Sequence, residues 1–215
     1  MDTPVKTDKL IARKENGIGW VIFNNPEKRN AMSLEMSEAT AAAMESYAKD
    51  PEVRVVILRG EGGKAFVSGA DISQFKERRS SMEQVRAAEA ISERTNKAIR
   101  ECPKPVIAMI QGFCMGGGLG VAVACDIRIA SDDSRFGVPA AKLGVGYRFT
   151  GIRRLAELVG PQFTAEIFYT GRQFTSQEAL QMGLVNRLLP VAELGKYVRT
   201  SRPRSQAMRR SRWRQ

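Results

Sequence analysis

The stretch from Gly112 to Asp126 reads G-F-C-M-G-G-G-L-G-V-A-V-A-C-D and follows the apolar run V-I-A-M-I at positions 106–110. Such a run is typical of a strand that is buried on both faces. The glycines at positions 116–118 lead into an apolar helix, and glycine lets backbone N–H groups approach a ligand without an intervening Cβ. The stretch therefore predicts a strand, a tight turn and a buried helix, with a binding surface at the turn.

A second glycine-bearing turn follows another buried strand. The strand is the apolar run at positions 55–58, and the turn at 65–72 reads A-F-V-S-G-A-D-I. Because ligands of α/β sheets collect beyond the carboxyl ends of the strands, the two turns could aim one N–H group each at the same oxygen atom, as an oxyanion hole does. The same glycines also suit tight turns and close helix packing, and the pattern alone leaves both interpretations open.

Strands and helices alternate along the rest of the chain. The Asn16-Gly17 pair predicts a hairpin near the start, and Ser33 can cap a helix that runs to about residue 49. A polar helix is expected over about 82–101. These repeated strand–helix–strand units predict an α/β fold with right-handed crossovers.

The composition excludes several classes of chemistry. The 215 residues include no histidine, which removes Ser-His-Asp and Cys-His nucleophiles and the commonest metal ligand, so no metal site is predicted. Cys102, Cys114 and Cys125 lack C-x-x-C spacing and are expected to be free, buried thiols in a reducing compartment. The chain has neither a signal-peptide core nor the roughly 18 apolar residues of a membrane helix. A cytoplasmic protein without a membrane partner is therefore predicted.

The positive charge is concentrated at the C-terminus. Residues 199–215 carry seven arginines and no acid, and removing these seven charges from the net +11 leaves +4. The segment fits an arm for nucleic acid or an acidic surface, or else a disordered or out-of-frame extension. We favour the extension, because one tryptophan offers little stacking, and a nucleic-acid partner is not expected. The predicted division is a domain over residues 1–198 and a basic tail over 199–215.

Several ordered blocks resemble the enoyl-CoA hydratase/isomerase (crotonase) family from about Leu10 to Tyr197. The blocks are NNPEKRNAMS at 24–33, KAFVSGADI at 64–72, KPVIA at 104–108, the stretch at 112–126, RFGVP at 135–139, TGR at 170–172 and GLVN at 183–186. The resemblance implies a crotonase-like (ClpP/crotonase) α/β spiral of ββα units. Family members usually continue beyond Tyr197 with helices that cover the pocket and support trimers. A truncated helical part is therefore expected here, with a homotrimer or hexamer if those helices are dispensable.

The resemblance also implies a specific site. Members of the family bind an acyl-CoA thioester and polarise its carbonyl with two backbone N–H groups, which here match those of Ala70 and Gly117. Coenzyme A is then part of the substrate, and no separate cofactor is implied. The residues expected near the CoA portion are Lys28, Arg29, Ala31, Ser68, Asp71, Ile72, Ser73 and Met115. Of these, Lys28 and Arg29 suit the phosphates, and each is also consistent with ordinary solvated loop charge.

Two positions depart from the family pattern. Hydratases of the family hold and deprotonate the attacking water with two glutamates. The matching positions in this sequence are occupied by Gly120 and Ala140. A positioned acid or base contributes about 10² to 10⁴ in rate, so their replacement disfavours simple enoyl-CoA hydration. Tyr147 is a candidate proton donor and Arg148 a candidate partner for a substrate carboxylate, although an ordinary loop aromatic and a surface arginine are also consistent with the sequence.

Three functions from different classes follow. The first is a lyase or isomerase of fatty acid metabolism that acts on an acyl-CoA through enolate stabilisation. The second is a non-catalytic binder of CoA esters that keeps the fold. The third is RNA or partner binding through the basic tail.

Overall fold

The computed structural model describes residues 7–71, 81–147 and 149–200. The predicted site residues Ile72, Ser73 and Arg148 lie outside the described residues, as does the basic tail beyond residue 200. The strands are β1 (Leu10–Glu15), β2 (Ile18–Phe23), β3 (Val55–Gly60), β4 (Ala65–Val67), β5 (Val106–Ile110), β6 (Phe113–Met115), β7 (Ile127–Ser131), β8 (Arg135–Gly137), β9 (Phe174–Thr175) and β10 (Arg187–Leu189). The helices are α1 (Leu34–Lys49), α2 (Met82–Arg100), α3 (Gly117–Ala124), α4 (Ala140–Leu143), α5 (Phe149–Thr170), α6 (Ser176–Gln181) and α7 (Val191–Thr200).

The strands form two sheets that are built by a repeating unit. In the described residues the larger sheet has the order β1-β2-β3-β5-β7-β10, and the smaller has the order β4-β6-β8-β9. Strands β2, β3, β5, β7 and β10 pair in parallel, as do β4, β6 and β8. Each of β3, β5 and β7 is followed by a short strand of the smaller sheet and then by a helix. This arrangement confirms the predicted α/β spiral of ββα units.

Local sequence explains the start of the chain. Asn16 and Gly17 have φ angles of 52° and 79°, the pair of positive values that a tight hairpin between β1 and β2 requires. The Ser33 hydroxyl accepts a hydrogen bond from the Met36 N–H at 3.1 Å and so caps α1 as predicted. Both features therefore follow from residues that are close together in the sequence.

Helices α1 and α2 lie side by side and run in the same direction. The Thr95 hydroxyl donates to the Ser37 carbonyl oxygen at 2.8 Å. Further along both segments, the Lys104 ammonium donates to the carbonyl oxygen of Tyr47 near the end of α1. The residues of α2 before Thr95 therefore extend towards the start of α1.

The outer face of the larger sheet is covered by α7. Leu194 and Val198 of this helix are buried against Trp20 and its neighbours. Arg199 forms a 3.0 Å ion pair with Glu15 and lies 4.8 Å above the Trp20 ring. The predicted boundary at residue 198 therefore falls inside α7, because Arg199 packs on the sheet.

Two further features bear on the sequence-based expectations. All three cysteines are free and buried, as predicted. None of the helices in the described ranges is long and apolar enough to cross a membrane.

Candidate active site

The loop before α1 is attached to the turn after β4. The Met32 N–H donates to the Gly69 carbonyl oxygen at 2.8 Å, and the Asp71 N–H donates to the Met32 carbonyl oxygen at 3.0 Å. In this parallel bridge the N–H group of Ala70, between the two partners, points away from Met32. It has no acceptor within the part of the chain that the structure describes.

The turn after β6 presents a second backbone donor. Gly116 has φ 51° and ψ −117°, a conformation that only glycine adopts readily, and its N–H donates to the Gly137 carbonyl oxygen at 2.8 Å. Helix α3 then starts at Gly117, whose N–H belongs to the first turn and has no intrahelical partner. A Cβ on Gly118 would overlap the Val67 carbonyl oxygen, so α3 packs directly on β4.

The two turns are neighbours in space. A Cβ built on Gly116 would lie 3.9 Å from the Gly69 Cα, and one built on Gly69 would lie 3.8 Å from the Met115 carbonyl oxygen. The fold therefore brings the turn that carries Ala70 against the turn that carries Gly117. The positive end of the α3 dipole lies at the same place.

A cavity of about 400 Å³ opens beside these turns and is bordered by Ala70, Gly117, Gly120 and Tyr147. Much of its remaining wall is apolar and comprises Met32, Leu34, Leu119, Val121, Val138, Leu155 and Phe168. Cavities with an apolar wall and a few convergent polar groups are typical sites for small molecules. This cavity combines a largely apolar wall with two backbone N–H groups, as small-molecule sites do.

Tyr147 lies over the Gly116 turn. Its hydroxyl oxygen is 3.3 Å from the position that a Cβ on Gly116 would occupy. Its ring packs edge-on against Phe168, with 5.1 Å between the ring centroids. Tyr147 is 37% exposed, and the partial burial of its ring raises the pKa of the phenol above its usual value, so the phenol is neutral and able to donate a proton near neutral pH.

The two positions at which a glutamate was expected have different surroundings. Gly120 faces the cavity, and a Cβ there would meet no atom within 4 Å. Ala140 is the first residue of α4, is buried, and does not border the cavity. The carboxylates that do border it, Glu89 and Glu93, come from α2, and the sequence analysis did not select them.

Several of the residues predicted to contact CoA lie together in the loop before α1 and the turn after β4. The Lys28 ammonium pairs with the Asp71 carboxylate at 3.1 Å, and the Ser68 N–H donates to the Arg29 carbonyl oxygen at 3.2 Å. The Arg29 guanidinium lies 5.2 Å from the centre of the Phe113 ring. The structure therefore brings these loop residues together but gives both cations partners within the protein.

Three other residues complete this region. Ala31 lies in the same loop, where its N–H donates to the Lys28 carbonyl oxygen at 3.0 Å. Asn30, which the sequence analysis missed, is fully buried, and its amide donates to the Glu61 and Ala65 carbonyl oxygens at 2.9 and 2.8 Å. Met115 is buried with its methyl group against Gly137, so its side chain lies outside the cavity.

Comparison with known proteins agrees with this architecture. Residues 13–209 match the family model for enoyl-CoA hydratase/isomerase, so the match includes the first part of the basic segment. The chain is 36% identical to the short-chain-enoyl-CoA hydratase of Clostridium acetobutylicum over 88% of its length and 72% of that protein. It is 37% identical to the crotonyl-CoA hydratase of Syntrophomonas wolfei, over 87% of the chain and 71% of the relative.

Solved structures give the same result. The crystal structure of an enoyl-CoA hydratase/carnithine racemase from Magnetospirillum magneticum superposes with a TM-score of 0.88 at 36% identity, covering 91% of this chain and 73% of the other. An enoyl-CoA hydratase from Bacillus anthracis superposes with a TM-score of 0.83 at 33% identity, covering 90% and 74%. The chain belongs to the enoyl-CoA hydratase/isomerase family.

Proposed function

We propose that the protein binds an acyl-CoA thioester and stabilises its enolate through the N–H groups of Ala70 and Gly117. The observation that carries this proposal is the pair of backbone donors on adjacent turns, at one end of a largely apolar cavity. The curated relatives named as enoyl-CoA hydratases support the same class of substrate.

The chemistry follows from the position of the donors. The thioester oxygen accepts both hydrogen bonds while the acyl chain lies along the apolar wall. When the proton on the carbon next to the thioester leaves, the C–H electron pair moves onto this oxygen, where each donor contributes about 10² to 10³ in rate. The Tyr147 phenol, beside the same turn, returns a proton to the carbon and recovers its own from solvent.

The proposed reaction class is a lyase or isomerase acting on an acyl-CoA, rather than simple hydration. Hydration of the family's type uses two glutamates, and the matching positions, Gly120 and Ala140, carry no carboxylate here. Coenzyme A enters only as part of the substrate, with its polar end near the Lys28–Asp71 cluster. Assembly into a homotrimer or hexamer is part of the same proposal.

A non-catalytic CoA-ester binder is the second candidate. The observation that favours it is the open space at Gly120, where a side chain able to transfer protons would fit and none is present. Such a protein would keep the two donors and the cavity but would catalyse no proton transfer.

Two measurements separate these functions. Calorimetry with butyryl-CoA tests binding, with butyrate as the control. If the wild-type protein does not bind butyryl-CoA, both candidates are rejected. Proton NMR in D₂O follows exchange at the carbon next to the thioester, and the proposed enzyme exchanges this proton while a binder does not. A turnover screen over enoyl-, malonyl- and aryl-CoA esters then identifies the acyl group.

A further inference from the structure

The enolate mechanism needs a base, and the carboxylates that border the cavity lie on α2 rather than on the helix that carries Gly117. Among the described residues of α3, the cavity is bordered by glycine, alanine, valine and leucine alone. Helix α2 forms the facing wall with a stripe at helical spacing that comprises Val85, Glu89, Ser92, Glu93 and Asn96. A group that accepts the substrate proton is therefore to be sought on α2.

The parallel packing of α1 and α2 shows towards which end of α1 each carboxylate lies. Thr95 contacts Ser37 at 2.8 Å. Met32, which bridges to Ala70, precedes Ser37 by five residues, and Glu89 precedes Thr95 by six. At about 1.5 Å per residue, Glu89 lies about 9 Å back along α2 from Thr95. This displacement is towards the start of α1, the end of the helix at which Met32 bridges to Ala70.

Glu93 has a different setting. It lies one turn further along α2, away from the start of α1, and its carboxylate forms a 2.8 Å ion pair with Arg100. Arg100 also borders the cavity, so this pair occupies the wall beyond the Ala70 turn. Of the two carboxylates, Glu89 is the one that lies further back along α2, towards the start of α1 and the loop that bridges to Ala70.

We propose that the Glu89 carboxylate is the base that removes the proton from the carbon next to the thioester. This proposal rests on the proposed function. In the step, a carboxylate oxygen of Glu89 takes the proton, and the C–H electron pair moves through carbon to the thioester oxygen held by Ala70 and Gly117. The Tyr147 phenol returns a proton to the carbon, and solvent restores both side chains.

The test is proton–deuterium exchange of butyryl-CoA by the full chain, measured for wild type, Glu89→Gln and Glu89→Asp. We expect Glu89→Gln to lower the exchange rate by at least about 10², with partial recovery in Glu89→Asp. The matched control is Glu83→Gln, an exposed carboxylate on the same helix that does not border the cavity. Calorimetry with butyryl-CoA shows that each variant still binds.

Each outcome decides between distinct ideas. If Glu89→Gln exchanges the proton at the wild-type rate, the assignment of Glu89 is overturned, while the proposed function still stands. A loss in Glu93→Gln that is absent in Glu89→Gln also overturns it, because the base would then lie one turn along the helix. A wild-type protein that binds butyryl-CoA but exchanges no proton rejects the proposed function and this proposal together.

Discussion

Replacing Gly117 by proline removes one proposed hydrogen-bond donor and little else. Gly117 is the first residue of α3, where proline is well tolerated because the N–H has no intrahelical partner. A Cβ at this position meets no atom within 4 Å. The preceding Gly116 has ψ −117°, outside the helical region that proline disfavours in the residue before it.

The expected effect is specific to the transition state. Loss of one of two such donors costs about 10² to 10³ in rate, or about 2.7 to 4 kcal/mol of barrier. We therefore expect Gly117→Pro to lower the butyryl-CoA exchange rate by at least about 10². Its affinity for butyryl-CoA should change only a few fold, since the cavity wall and the Ala70 donor remain.

Gly117→Ala is the matched control, because it adds a Cβ but keeps the N–H group. Its exchange rate should stay well above that of the proline variant, and urea unfolding should show that both variants remain folded. Equal exchange rates in Gly117→Pro and Gly117→Ala would refute the role of this N–H group.

Three further predictions follow from the same region. Gly120→Glu should raise hydration of crotonyl-CoA by about 10² or more, measured by loss of the enoyl absorbance, because this position faces open space in the cavity and a positioned acid or base contributes that much; no gain in the folded variant would contradict the account of this position. Tyr147→Phe should slow proton exchange of butyryl-CoA. The exchange rate of the wild-type protein should not fall at pH values below about 10, because the phenol must be protonated to donate and its pKa is raised by burial; a fall in rate centred near pH 8 would point to another donor. Gly118→Ala should lower the free energy of unfolding in urea by about 1 to 3 kcal/mol, because its Cβ would overlap the Val67 carbonyl oxygen, whereas Gly120→Ala, with open space at its Cβ, serves as the control.

The elements that could be predicted from sequence are those with a strong local signal. The Asn16-Gly17 hairpin, the Ser33 cap and the buried strands beginning at Val55 and Val106 are all confirmed. In each case a turn residue, a capping hydroxyl or a continuous apolar run determines the local conformation. The smaller sheet was not predicted, because β4, β6 and β8 have three residues each and so show no hydrophobic period.

The sequence also indicated which turns to examine. Their glycines at 69 and 116 have positive φ angles in the structure, and Gly118 allows α3 to approach β4. The roles of Ala70, Gly117 and Tyr147 stay predictions, but the fold does bring all three to one cavity. The domain boundary at residue 198 stays a prediction; in the structure α7 continues to Thr200, with Arg199 held on the sheet by the Trp20 ring and the Glu15 carboxylate.

By itself, the sequence determined the family, the alternation of strands and helices, and the positions of the two glycine turns. Only the tertiary structure decided which side chains share a cavity with those donors. Glu89 lies on a helix whose polar composition is typical of a solvent-exposed helix. It borders the same cavity as the turns because α2 packs in parallel on α1. A contact between residues distant in sequence depends on that packing, which no local pattern encodes.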